Sequence, residues 1–294
     1  MARSATLEEW RRAGKAFSHR AHEIFYRDEG SGRVMLLVHG FPTASFDWQR
    51  VWPALLSGRR LVAPDMIGFG FSAKPKDYHY SILDQADIHE ELLAKLGVGE
   101  VDILAHDYGD TVTQELLARH EDRAASGVKG VRIRSIVLLN GGLFPETHRA
   151  RLIQKLLMTP LGPLLSKLSN ERAFGRSFSP IFGADTQPTR AELADYWRLV
   201  SYNDGHRISH KLIRYIEERR RYRERWVGTL QRTKVPLRLV NGPDDPVSGA
   251  HMAARYRELV PSADVVLLPR IGHYPQVEDP TGVVESILPW LPEK

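Results

Sequence analysis

Val101-Asp102-Ile103-Leu104-Ala105-His106-Asp107-Tyr108-Gly109-Asp110 is the stretch on which the rest of the chain depends. Val101, Ile103, Leu104 and Ala105 form the near-continuous apolar run of a parallel strand covered on both faces. Asp107-Tyr108-Gly109 interrupts that run, and Val112, Leu116 and Leu117 follow at helical spacing. The pattern predicts a strand, a sharp turn and a helix, with the Asp107 carboxylate at the apex. A carboxylate so placed can attack carbon directly and form an ester.

Similar strand patterns recur on both sides. Val34–Val38, Arg60–Asp65, Arg134–Asn140, Val235–Val240 and Asp264–Leu268 read as buried strands, and His22–Arg27 reads as an early strand closed by a turn over Asp28–Gly32. Asp47–Leu56 and Tyr80–Leu96 have helical patterns, and Leu7–Arg12 suits a short surface helix. Between residues 143 and 230 the character changes to helix formers and basic residues, punctuated by Pro and Gly, without a convincing strand. Strands alternating with helices imply a mostly parallel central sheet flanked by helices and joined by right-handed crossovers. The expected architecture is α/β, with a core over 1–142 and 231–294 and an inserted helical cap over 143–230.

At 294 residues, 42% apolar and 26% charged, the chain has the composition of a globular protein with a sizeable core. Cysteine is absent, which excludes disulfides, thiolate metal sites and cysteine nucleophiles. The net charge of +5 is concentrated in Lys211–Lys234, where nine Lys/Arg stand against three acids. That segment reads as a solvated helix face, and no nucleic-acid motif accompanies it. No apolar run is long enough to span a bilayer, and the first fifteen residues lack the apolar centre of a signal peptide. The expectation is a soluble cytoplasmic protein, a monomer or homodimer, that needs no metal or other cofactor.

Four loops that follow predicted strands carry candidate chemistry: His39-Gly40-Phe41-Pro42-Thr43, the Asp107 turn, Gly242-Pro243-Asp244-Asp245-Pro246-Val247, and Gly272-His273-Tyr274-Pro275. Sites in open α/β sheets gather at such strand ends. Gly68-Phe69-Gly70 does not continue into a dinucleotide fingerprint, because Ala73 replaces the third glycine. Gly-x-Ser-x-Gly is absent, which disfavours a serine nucleophile.

With these motifs in this order, the chain resembles the Asp-nucleophile branch of the α/β-hydrolase superfamily, which includes epoxide hydrolases and haloalkane dehalogenases. Within that branch it resembles the mesoderm-specific transcript protein family, on Asn140-Gly141-Gly142-Leu143-Phe144-Pro145-Glu146-Thr147-His148-Arg149, Arg225-Trp226-Val227-Gly228 and His273-Tyr274-Pro275-Gln276-Val277-Glu278-Asp279-Pro280. The resemblance implies Asp107 as nucleophile, His273 as the base that activates water, and Asp245, favoured over Asp244 by its spacing from Gly242, as the acid orienting His273. The backbone N–H groups of Phe41 and Tyr108 would form the oxyanion hole. Asp110 and Asn140 read as structural, and His106 as packed beneath the turn.

The implied substrate is a small hydrophobic molecule, an epoxide first and a haloalkane second, with an ester or lactone third. A binding protein that retains the fold is the rival. Tyr108 and Phe41 stand where dehalogenases commonly carry the Trp and Asn that hold a halide, which weakens the haloalkane reading. Epoxide hydrolases use cap tyrosines to protonate the opening oxygen, and Tyr215 and then Tyr222 are the candidates. His39, His106 and Trp197 complete the expected substrate contacts.

Overall fold

The computed structural model describes residues 4–291. Eight strands, β1 (Lys15–His19), β2 (His22–Gly30), β3 (Arg33–Val38), β4 (Arg59–Pro64), β5 (Glu100–His106), β6 (Arg132–Leu139), β7 (Leu237–Asn241) and β8 (Asp264–Leu267), form one sheet in the order β1-β2-β4-β3-β5-β6-β7-β8. β1 and β2 run antiparallel to each other, as do β2 and β4; every pairing from β4 to β8 is parallel.

The apolar runs of the central strands divide by alternation. Leu36, Val38, Ile103, Ala105, Ile136 and Leu138 enter the core on one face of the sheet, beneath helices Ile82–Lys95 and Tyr108–Ser126. Met35, Leu37, Leu104, Val137 and Leu139 enter the other, with Trp48, Trp52, Val283 and Ile287. Successive strand residues point to opposite faces, so a strand covered on both sides needs apolar residues at every position. Each fully buried Leu, Ile or Val contributes about 1.5–3 kcal/mol. The strands that carry the candidate loops are therefore firmly held.

Between β6 and β7 every regular element is helical, the longest being Arg190–Ser201 and Arg223–Arg232. The insertion is tied back to the sheet through the helix that follows Asp107. Glu115 Oε2 accepts from Trp226 Nε1 at 2.8 Å and from Arg225 Nε at 2.9 Å, and Trp226 is buried.

Three local expectations change. β1 was not expected; its apolar residues Ala16 and Phe17 are few, and it is held by pairing to β2 at the edge of the sheet. β2 continues through Asp28 to Gly30, paired with β4, so the turn shrinks to Ser31-Gly32. The helix expected over Asp47–Leu56 is two pieces, Ser45–Trp48 and Trp52–Leu55. Pro53 has no N–H to give to a continuous helix and sits in the first turn of the second piece.

Candidate active site

β5 ends at His106, Asp107 takes φ 48° and ψ −105°, and the helix starts at Tyr108. A non-glycine residue with such backbone angles is strained and requires support from its surroundings. The turn brings the start of the helix against β3: a Cβ at Gly109 would lie 2.2 Å from the Val38 carbonyl oxygen. Glycine is required there by close approach. Because Val38 pairs with Ala105, the His39-Gly40-Phe41 loop lies beside the turn. Phe41 N–H donates to Asp107 Oδ2 at 3.1 Å.

The loops after β7 and β8 bring Asp245 and His273 to the same place. His273 Nδ1 lies 2.7 Å from Asp245 Oδ2, and His273 Nε2 lies 4.0 Å from Asp107 Oδ1. All three side chains are buried. Asp245 also accepts from Val247 N–H at 2.7 Å, Ser248 Oγ at 2.8 Å and Asn140 Nδ2 at 3.0 Å. Burial pushes its carboxyl up, but the charge and hydrogen bond of His273, together with those donors, hold it below its ordinary value. Burial likewise pushes His273 down, and the charges of Asp245, Asp107 and Glu278 outweigh it, raising the imidazole to about 9. Asp244 has no part in this network.

Asn140 is more than a strand terminus. It donates to Asp245 and to the Gly242 carbonyl, and it accepts from Gly242 N–H at 2.7 Å, so it joins the ends of β6 and β7 at the acid. Glu278 has the matching role at the other side of His273. It accepts from Gly272 N–H, Tyr274 N–H and, within the insertion, Gly183 N–H.

Arg219 went unnoticed within the basic run, which is not uniformly solvated. Its side chain is buried, with Nε donating to Thr111 Oγ1 at 2.7 Å and Nη2 donating to the Asp107 carbonyl at 3.2 Å. Nη2 lies 3.8 Å from Asp107 Oδ1, and the guanidinium covers the Tyr215 ring at 4.5 Å. Asp110 is buried nearby, and burial followed by the charge of Asp107 raises its carboxyl well above the ordinary range.

Asp107 and His273 open onto a cavity of about 330 Å³ whose walls include Leu157, Phe174, Phe178, Ile181 and Val247. The expected substrate contacts do not line it. His39 is buried with both nitrogens engaged, Nδ1 on the Gly40 carbonyl and Nε2 accepting from Met66 N–H, and burial lowers it to about 4. His106 Nε2 donates to the His273 carbonyl at 2.7 Å, and burial lowers it to about 3. It braces the His273 loop. Trp197 packs on Phe174 and His206, one layer behind the wall. Tyr222 packs on Trp226. Tyr215 packs on Tyr108 and Phe41, so it too stands one layer back from the cavity.

The raised His273 pKa has a measurable consequence. A group protonated more readily in the folded chain stabilises fully below its unfolded pKa and loses that contribution as pH rises through its folded pKa. The Tm of the unaltered chain should therefore fall relative to that of His273→Gln as pH rises from 6.5 to 9. Parallel Tm profiles for the two proteins would refute the assignment of this charge to His273.

The sheet order, the strained turn and the three convergent loops define a hydrolase of the α/β fold. The chain belongs to the α/β-hydrolase fold family, whose model matches residues 33–280. It is 42% identical to the mesoderm-specific transcript homolog protein of Bos taurus over 299 residues, covering 98% of this chain and 88% of that protein. Among solved structures it is similar to the haloalkane dehalogenase DbeA from Bradyrhizobium elkani, with TM-score 0.78, 22% identity and coverage of 95% and 97%. The epoxide hydrolase CorEH is similar at TM-score 0.75 and 19% identity, covering 94% of this chain and 97% of that one. At these identities the two solved structures share the fold with this chain.

Proposed function

We propose that this hydrolase works through a covalent ester on Asp107 and that epoxides are its substrate class, with residues 143–230 acting as a cap. The observation that carries the reading is the division of labour around one carboxylate: Oδ2 meets the Phe41 N–H, while Oδ1 faces His273 Nε2. In this reading Oδ1 attacks an epoxide carbon, the C–O bond breaks, and the freed oxygen takes the proton held by His273. The site then contains a hydroxyalkyl ester and a neutral imidazole. The Asp107 charge, one of the causes that keep His273 protonated, is gone. His273, oriented by Asp245, can now take a proton from water.

The resulting hydroxide attacks the ester carbonyl carbon, and negative charge develops on Oδ2 beside the Phe41 N–H. The Tyr108 N–H, at the start of its helix, is the assigned second donor. One oxyanion donor is worth about 3–4 kcal/mol of barrier in well-studied cases. The tetrahedral intermediate collapses by breaking the bond to Oδ1, which leaves with the diol and the hydroxide's proton. The water oxygen stays in the Asp107 carboxylate, and His273 is again protonated.

An epoxide suits this site better than a haloalkane. A departing halide needs N–H donors, but the Phe41 side chain is hydrocarbon and the Tyr108 ring packs against Phe69 and Tyr215. An epoxide oxygen needs a proton, which His273 carries. Tyr215 and Tyr222 are not needed as donors, in keeping with their places behind the wall.

His273→Gln tests the reading: without the His273 proton the ester should form only slowly, over a long incubation, and without the His273 base it should not be hydrolysed. Incubated with a panel of epoxides and alkyl halides, the variant should gain the mass of an epoxide, mapped to Asp107 by peptide mass spectrometry. Adducts from halides alone, with halide release by the unaltered chain, would replace this reading with dehalogenation. No adduct across the panel would favour a binding protein.

A further inference from the structure

Seven large apolar side chains are exposed among the described residues, and five belong to two adjacent helices of the insertion and the turn between them. Leu152 is 72% exposed, Leu161 58%, Leu164 54%, Leu168 64% and Ile153 38%, on or beside helices Leu152–Leu157 and Gly162–Leu168. Leu161, Leu164 and Leu168 recur at the spacing of one helix face. Leaving a cluster of this kind in water is costly, and such clusters mark interaction surfaces. Ile153 and Leu168 also line the cavity, together with Leu157 and Leu165, so the patch runs continuously into the chamber that holds Asp107 and His273.

The charge around the patch selects the partner. Residues 147–170 carry Arg149, Arg151, Lys155 and Lys167, and no Asp or Glu. A second copy of the chain packed symmetrically on this face would set those cations against their own counterparts, since such an interface uses the same patch twice. An anionic lipid surface satisfies both features: leucines enter the boundary between headgroups and acyl chains, and the cations meet phosphates.

We propose that these two helices dock the protein on an anionic phospholipid bilayer, with the cavity mouth facing the membrane. No helix among the described residues is long and apolar enough to cross a bilayer. Docking is peripheral, and a lipophilic substrate could enter the cavity from the acyl region without crossing water. This surface goes beyond the reaction proposed above and does not depend on it, because its test uses no substrate.

The test is flotation of the full chain with phosphatidylcholine vesicles and with vesicles also containing phosphatidylglycerol. The chain should float with the anionic vesicles, bind phosphatidylcholine alone much less, and be released by added salt. Lys155→Gln and Lys167→Gln should each lower the partition coefficient about fivefold. Leu164→Asp should lower it by more than about tenfold. These side chains are exposed, and unchanged circular dichroism would confirm retained folding. Val128→Asp, an exposed apolar site outside the patch, should bind as the unaltered chain does.

Three results would overturn the proposal. One is equal flotation with or without phosphatidylglycerol, and another is a Val128→Asp loss as large as that of Leu164→Asp. The third is a dimer in solution that Leu164→Asp dissolves, with no vesicle binding.

Discussion

Asp107→Asn should lower turnover by about four orders of magnitude or more while leaving the fold in place. Asparagine keeps the shape of the side chain, and its amide oxygen can still accept from the Phe41 N–H. The amide cannot displace a C–O bond as a carboxylate does, so no ester forms. The substitution is more informative than alanine. At φ 48° Asn is among the residues least penalised, whereas alanine would add backbone strain to the chemical loss.

The same mechanism predicts an isotope pattern. One turnover of the unaltered chain in ¹⁸O-water should label the Asp107 carboxylate, because the diol leaves with Oδ1. Label appearing in the diol of that first turnover would mean direct attack by water on the epoxide. Residual turnover in Asp107→Asn close to the unaltered rate would carry the same meaning.

Much of this site was legible because its parts lie in short contiguous runs. The Asp107 turn, the Phe41 loop, Asp245 and His273 each follow a strand whose apolar run is plain, and parallel pairing of those strands brings their ends together. Strand order then does what no local pattern can. The hidden parts depend on distant partners. Arg219 looks like its neighbours Arg220 and Arg221, and only the fold puts it against Thr111 and Asp107, more than a hundred residues away. Its signal, in hindsight, is the pairing with Tyr215 one helical turn earlier, which gives the guanidinium an aromatic ring to lie on.

Asn140 reads as a strand end until β7 is set beside β6. His39 and His106 illustrate the opposite error. Both adjoin site residues in the chain, yet His39 engages both ring nitrogens and His106 its Nε2 with backbone groups, and neither lines the cavity.

Arg219→Met should produce the largest coupled loss of stability and activity outside Asp107, His273 and Asp245. Methionine fills much of the same volume, so the effect isolates the guanidinium. Three consequences follow from its contacts. The carbonyl of the strained Asp107 loses a donor, Thr111 Oγ1 loses its partner, and the buried Asp107 carboxylate loses the cation 3.8 Å from Oδ1. Removing one member of a buried charged pair costs about 3–5 kcal/mol. In a chain of this size that corresponds to a Tm lower by about 10 °C.

Arg219→Lys keeps a positive charge but not the fork that reaches Thr111 and the carbonyl together, so it should recover only part of the loss. The activity comparison belongs well below both melting temperatures. There, kcat for ester formation should drop about a hundredfold in Arg219→Met, because the turn that aims Oδ1 is loosened. KM should change much less, since Arg219 does not line the cavity. A lowered Tm with unchanged kcat would make Arg219 a fold-stabilising residue alone. A rise confined to KM would place it in contact with the substrate instead.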